Sequence, residues 1–286
     1  MDLAPVGACA ILPVMSDDAR GTGIDTTVPH SARIWNYWLG GKDNYAVDRA
    51  AGDEFVKVMP GILTSARETR AFLVRVVRHL AGEAGIRQFL DVGTGLPTAN
   101  NTHEVAQSVA PDAHVVYVDN DPLVLAHARA LLTSTSEGRT RYLDADMGDP
   151  ESVLRGASEV LDLSRPVAVL FFGVLGHVAD TARARSLVRA LLSATPSGSY
   201  LAVSDGVPTE QATAAHDEYN ESGAVPYHLR APDELRSYFD GLEFVEPGFG
   251  PVPLWRPELG GTADVPVIGQ ADAGPDSPWG GVARKP

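Results

Sequence analysis

The run Leu90-Asp91-Val92-Gly93-Thr94-Gly95-Leu96-Pro97-Thr98 constrains this chain more than any other. An apolar strand enters two glycines separated by one residue, and helical spacing resumes shortly afterwards. Glycine reaches backbone angles closed to other residues and lets a ligand approach the main chain closely. In a parallel α/β sheet such a turn opens onto the crevice beyond the strand ends. The chain then repeats the pattern. Strands are expected at 88–92, 114–118, 140–143, 167–172 and 199–204, and the fourth is apolar enough for burial on both faces. Helices are expected between them at 101–109, 122–132 and 181–194. Five strands alternating with helices predict a mostly parallel sheet, with right-handed crossovers and helices on both faces.

Around this core the pattern changes. Residues 1–28 lack periodicity and read as a loosely ordered arm, and 258–286, rich in Pro and Gly, read as an irregular tail. Residues 29–84 hold helical stretches at 31–39, 47–58 and 64–80, predicting an N-terminal helical cover ahead of a main domain over 85–257. After the fifth strand come a helix near 209–221 and short strands near 244–245 and 252–255. The two strands are close enough in sequence to pair antiparallel at a sheet edge.

Composition narrows the partners. A net charge of −14, from 37 acidic and 23 basic residues, repels phosphate backbones, so nucleic acid is not the expected partner. The arginines at 67, 70, 75 and 78 read as a solvated helix face. The one cysteine, Cys9, allows no intrachain disulfide and no cysteine-based zinc site, which suits the cytoplasm. No apolar run reaches the roughly 20 residues of a spanning helix, so no membrane partner is expected. His103-Glu104 lacks the second histidine of a zinc-protease motif, since Gln107 stands there, and no metal is expected.

Successive strand ends carry carboxylates. Asp119 closes the second strand, where an acidic side chain accepts hydrogen bonds from ribose hydroxyls, with Asn120 beside it. Asp146 follows the third strand, placed to bond an adenine amino group, with Met147 against the ring. A dinucleotide site would show Gly-x-Gly-x-x-Gly before a pyrophosphate. Here Thr98 replaces the third glycine, Pro97 removes an N–H, and Asp91 adds negative charge. S-adenosylmethionine (SAM), with its ammonium and sulfonium, fits this site better than NAD.

The segments Pro29-His30-Ser31-Ala32-Arg33-Ile34-Trp35-Asn36-Tyr37-Trp38-Leu39-Gly40-Gly41-Lys42-Asp43-Asn44-Tyr45, the run 88–98 quoted in part above, and Val116-Tyr117-Val118-Asp119-Asn120-Asp121-Pro122 carry a family resemblance. Together they resemble the actinobacterial SAM-dependent methyltransferase family once catalogued as a domain of unknown function, over about residues 28–257. Pro97 stands where the broader class I methyltransferases carry a third glycine, and reads as that family's variant turn. The resemblance implies a Rossmann-like class I methyltransferase sheet, mostly parallel with an antiparallel edge strand, under an N-terminal helical cover. It also implies SAM as cofactor but no particular substrate. The acidic surface and the helical cover suit a pocket for a small-molecule acceptor better than a groove for a polymer.

On this reading Asp91, Gly93, Thr94 and Gly95 position the amino-acid end of SAM, Asp119 and Asn120 its ribose, and Asp146 and Met147 its adenine. Phe172 and Gly173 lie under the methyl. His177 is the candidate base, although an isolated histidine also serves as a structural residue, and Asp205 has similar placement. Tyr37, Lys42 and Asn44 are candidates to close over SAM, while Trp35, Tyr37 and Trp38 serve equally well as packing. Two other activities remain open: a SAM-binding regulator without turnover, and an NAD-dependent dehydrogenase.

Overall fold

A computed structural model describes residues 25–131, 134–259 and 272–286. The arm expected over 1–28 therefore lies, for residues 1–24, outside the described residues. In chain order the elements are α1 (Ser31–Trp38), α2 (Ala46–Val58), α3 (Ile62–Gly82), β1 (Gln88–Val92), α4 (Thr102–Val109), β2 (His114–Asp119), α5 (Pro122–Leu131) and β3 (Arg139–Asp144). There follow α6 (Pro150–Ala157), β4 (Ala168–Phe172), α7 (Thr181–Ser193), β5 (Tyr200–Asp205), α8 (Glu210–Asn220), α9 (Pro232–Arg236), β6 (Glu243–Phe244), β7 (Gly250–Pro251) and β8 (Trp279–Arg284).

The sheet order is β3-β2-β1-β4-β5-β8-β6, with β7 also on β8. Strands β1 to β5 are parallel, and the chain crosses from β3 past β1 to reach β4, so the strand order reverses beside β1. Ligands bind α/β sheets at such a switch point, beyond the carboxyl ends of the strands. The fold is the Rossmann-like α/β arrangement.

Strand alternation sorts the core into two layers. Leu90, Val92, Val116, Val118, Val169, Phe171, Leu201 and Val203 face α6, α7 and α9, where Val153, Val188, Leu191 and Leu235 pack. Phe89, Val115, Tyr117, Leu170 and Ala202 face the other way, against Phe72, Val76, Val77 and Leu80 of α3 and Val105 of α4. Thus α3, expected within the helical cover, packs on the sheet itself.

The rest of the annex takes a different partner. Ile34 and Trp38 of α1 and Phe55 of α2 join Ala212, Ala215 and Tyr219 of α8 in a separate apolar cluster. A buried ion pair, Arg33 Nε to Asp48 Oδ1 at 3.1 Å, joins α1 to α2. Asp48 also accepts the backbone N–H groups of His30 and Tyr45 at 2.9 and 2.8 Å, so its charge is fully partnered.

Two expectations change at the sheet's far side. The tail expected to be irregular supplies β8, which inserts antiparallel between β5 and β6. The reversed strand is therefore internal, not at the edge. The segments expected to pair with each other do not: β6 and β7 each bond to β8, and 252–254 forms a 3₁₀ turn. Strand β8 offers both of its edges, and those hydrogen bonds satisfy backbone groups that a two-strand hairpin would leave open.

Candidate active site

The strand ends and the annex line a cavity of about 380 Å³. From the sheet it is lined by Gly93, Thr94, Gly95, Asp119, Asn120, Asp146, Met147, Phe172, Gly173 and His177, all of them predicted site residues. Both turn glycines hold left-handed angles, φ +72° at Gly93 and +63° at Gly95. A side chain at Gly93 would put its Cβ 2.1 Å from Val174 Cγ2, so the turn packs directly on the loop after β4. Gly173, at φ +68°, is the opposite case: a Cβ there would meet nothing within 4 Å.

Asp119 ties the turn to the second strand. Its Oδ2 accepts the Gly95 N–H at 2.8 Å and its Oδ1 the Asp121 N–H at 3.0 Å. Among the described residues each carboxylate oxygen keeps a lone pair to spare. Burial pushes the Asp119 carboxyl above its ordinary range, while these backbone N–H groups pull it down. Asp146 accepts the Gly148 N–H at 2.7 Å, which shapes the turn after β3. The Phe172 ring leans edge-on against Phe72 of α3, so the end of β4 is braced from behind.

Three predicted residues and one lesser candidate lie elsewhere. Asp91 is turned away from the cavity, because alternation puts it with Phe89 on the face covered by α3 and α4. There it accepts the Thr102 hydroxyl at 2.6 Å, in a small recess behind the glycine turn shared with Arg70 and Tyr117. Burial raises its carboxyl to about 6, against the pull of Thr102 and Arg70. Tyr37 donates to Asp53 at 2.6 Å and Asn44 to Asn36 and Gly41, both at 3.0 Å; neither lines the cavity. Lys42 is exposed and also outside the lining.

His177 sits on the 3₁₀ turn Leu175–His177. Its Nδ1 lies 2.9 Å from the Pro226 carbonyl, which can only accept, so Nδ1 carries the hydrogen and Nε2 the lone pair. Burial lowers its pKa and keeps the ring neutral near pH 7.

Asp205, at the end of β5, also lines the cavity, is 4% exposed, and has an Oδ2 without a partner among the described residues. Burial lifts its carboxyl from 3.8 to about 7; Arg230 opposes this, but its guanidinium donates to Leu175 O, Val178 O and Thr181 Oγ1. Between those values the folded chain holds a proton that the unfolded chain has lost, so this group's contribution to stability falls as pH rises. Asp205→Asn is expected to flatten that fall and to stabilise the ligand-free protein above the window by on the order of 1–4 kcal/mol. Urea unfolding of both proteins at acid and alkaline pH measures it; equal pH slopes would contradict the buried, ionising carboxyl.

The other wall was expected from the sequence as a helical cover, but with different residues facing the cavity. It is made by His30, Trp35, Trp38 and Phe55 from the annex, His216 and Tyr219 from α8, Tyr227 from the following loop, and Asp276 before β8. His30 Nδ1 lies 3.0 Å from Asp121 Oδ2, which brings the start of α1 to the end of β2. The spacing of Trp35 and Trp38 gave an amphipathic helix; nothing local marked His216 or Tyr227.

The lining carries Asp119, Asp146, Asp205 and Asp276 and, among the described residues, neither Lys nor Arg. Such a site favours a cationic ligand. Comparison with known proteins agrees. The model of the S-adenosyl methyltransferase family matches residues 17–286. A solved Streptomyces avermitilis protein of a family of unknown function is 45% identical, covering 92% of this chain and 99% of its own, with a TM-score of 0.84. A Thermobifida fusca protein, provisionally named a methyltransferase, is 40% identical over 94% of this chain and 99% of its own, with a TM-score of 0.82. No curated protein matches the chain in sequence.

Proposed function

The chain belongs to the S-adenosyl methyltransferase family and is a SAM-dependent methyltransferase, and from that premise we propose that its acceptor is a small molecule held in the cavity beside the cofactor. The concave cavity of about 380 Å³ between strand ends and annex carries this reading, because its size is that of a small-molecule site. When bound, SAM supplies an electrophilic methyl group on a sulfonium.

The residues present fit that cofactor. At Gly95 the left-handed turn leaves its backbone open, since a Cβ there would meet nothing closer than 3.9 Å, and the lining supplies carboxylates with no Lys or Arg among the described residues. On this reading the backbone at 93–95 holds the amino-acid end, and Asp119 with Asn120 takes the ribose. Asp146 and Met147 hold the adenine. Asp91 supports the turn from behind, through Thr102 at the start of α4. The bare Gly173 leaves room at the end of β4 for the methyl and the approaching acceptor. His177 takes the acceptor's proton at Nε2. Holding both reactants in line supplies much of the acceleration, and the base supplies the rest.

Calorimetry with SAM, S-adenosylhomocysteine and NAD tests the cofactor site, and NAD binding alone would end this reading. Incubation with methyl-labelled SAM and metabolite extracts tests turnover; tight binding with no labelled product would favour a regulator. Asp119→Ala is expected to weaken SAM binding by about 1–3 kcal/mol, the scale of lost charge-assisted hydrogen bonds. An unchanged affinity in a folded variant would remove Asp119 from the ribose site.

A further inference from the structure

The half of the cavity facing the annex is built differently from the half at the strand ends. Aromatic rings run along it without a break. Trp35 meets Trp38 at 5.9 Å between ring centroids, Trp38 meets Phe55 at 4.9 Å, and Phe55 meets His216 at 4.9 Å. His216 then meets Tyr227 at 5.1 Å, and Tyr227 meets His177 at 5.1 Å. All six line the cavity. Their planes are held: Trp38 Nε1 donates to Gly52 O at 3.3 Å, and each histidine is pinned by a backbone carbonyl. A rigid ring wall is complementary to a flat ring, through stacked and edge-on contacts.

The polar atoms lining the cavity include three proton acceptors, the first of them His177 Nε2. His216 repeats the arrangement of His177: its Nδ1 donates to Ala212 O at 2.7 Å, and burial lowers its pKa, so Nε2 keeps a lone pair. Asp205 Oδ2, at the end of β5, is the third, buried and without a partner among the described residues. An unpaired buried acceptor is costly, and a ligand hydroxyl or amino hydrogen would satisfy it. The carboxyls of the lining, with no Lys or Arg among its described residues, repel an anion.

Resting on the methyltransferase reading above, we infer that the acceptor is a planar, uncharged aromatic molecule bearing a hydroxyl or amino group, and that carboxylated and phosphorylated rings are excluded. In the transfer, the acceptor's oxygen or nitrogen bonds to the methyl carbon as the carbon–sulfur bond breaks, with that electron pair staying on sulfur. The acceptor's O–H or N–H bond breaks and its proton passes to His177 Nε2.

Calorimetry on the full chain saturated with S-adenosylhomocysteine separates the two claims. Failure of S-adenosylhomocysteine itself to bind overturns the functional reading and this one with it. With it bound, naphthol, naphthoate and naphthyl phosphate are compared at a pH of about 8, where the Asp205 carboxyl is ionised. Naphthol is expected to bind at least about tenfold more tightly than either anion, the penalty of placing like charges together in a poorly solvated site. Trp35→Leu should weaken naphthol binding, and Asp205→Asn should narrow the gap between naphthol and naphthoate. An anion binding as well as naphthol, or no naphthol binding to the loaded chain, overturns the acceptor assignment while leaving the cofactor site standing.

Discussion

Turnover by His177→Asn is expected to fall by about 10²- to 10⁴-fold, the usual worth of a positioned base, with SAM affinity unchanged. The expectation rests on orientation. The Pro226 carbonyl claims Nδ1–H, so the free lone pair is Nε2, and His177 lines the cavity close to the end of β4. Burial keeps the ring neutral near pH 7, ready to take a proton. Asparagine retains a group able to donate to Pro226 but has no basic nitrogen. In the parent enzyme kcat should fall as pH drops through the lowered His177 titration, because protonation removes the lone pair; in the variant that limb should vanish. Steady-state kinetics across pH, with SAM affinity measured separately, checks both. A variant with full turnover, or one whose whole loss lies in SAM binding, would make His177 a structural residue.

Gly93→Val is expected to abolish measurable SAM binding while the sheet still folds. Two effects act together. Valine is a β-branched residue forced to φ +72°, a conformation that such side chains rarely adopt. Its Cβ would also fall 2.1 Å from Val174 Cγ2, so the turn, the loop after β4, or both must move. The displaced turn would carry Gly95 away from Asp119, breaking the 2.8 Å bond that ties the turn to the end of β2. The neighbouring strands keep most of their core contacts, since Leu90, Val92 and Phe171 belong to a large cluster that also draws on Val153, Val188, Leu191 and Leu235 from the covering helices. Calorimetry with SAM and a thermal melt distinguish the cases: normal affinity in a folded variant would place the cofactor elsewhere.

Much of the site was legible because its signals are local. Gly93, Gly95, Asp119 and Asp146 each follow a strand that its own apolar run identifies, and parallel strands bring their ends to one rim. Asp91 shows where local reading stops. It is adjacent to the turn in sequence, but strand alternation sends its side chain to the face under α3 and α4. Tyr37 and Asn44 shared a distinctive segment with His30, Trp35 and Trp38, and the helical phase of α1 and its neighbours sent only the latter three to the cavity.

Strand β8 was illegible for another reason. Trp-Gly-Gly-Val-Ala-Arg has a weak intrinsic preference for extended structure, since glycine is poorly suited to strands. It becomes a strand because β5 and β6 leave a slot whose backbone groups need partners. Asp276 reaches the cavity as part of the approach to that strand, with Thr209 donating to its Oδ1 at 3.0 Å.

By itself, then, the amino-acid order determined the alternating strands and helices, the glycine turn and the carboxylates at the strand ends, all of which depend on periodicity and on single-residue backbone preferences. Only the tertiary structure decided the ring-lined side of the cavity: Phe55, His216 and Tyr227 come from three separate segments, and no spacing rule links them. They meet because α1 and α2 bury their apolar faces on α8, and that packing turns a row of distant rings into one wall.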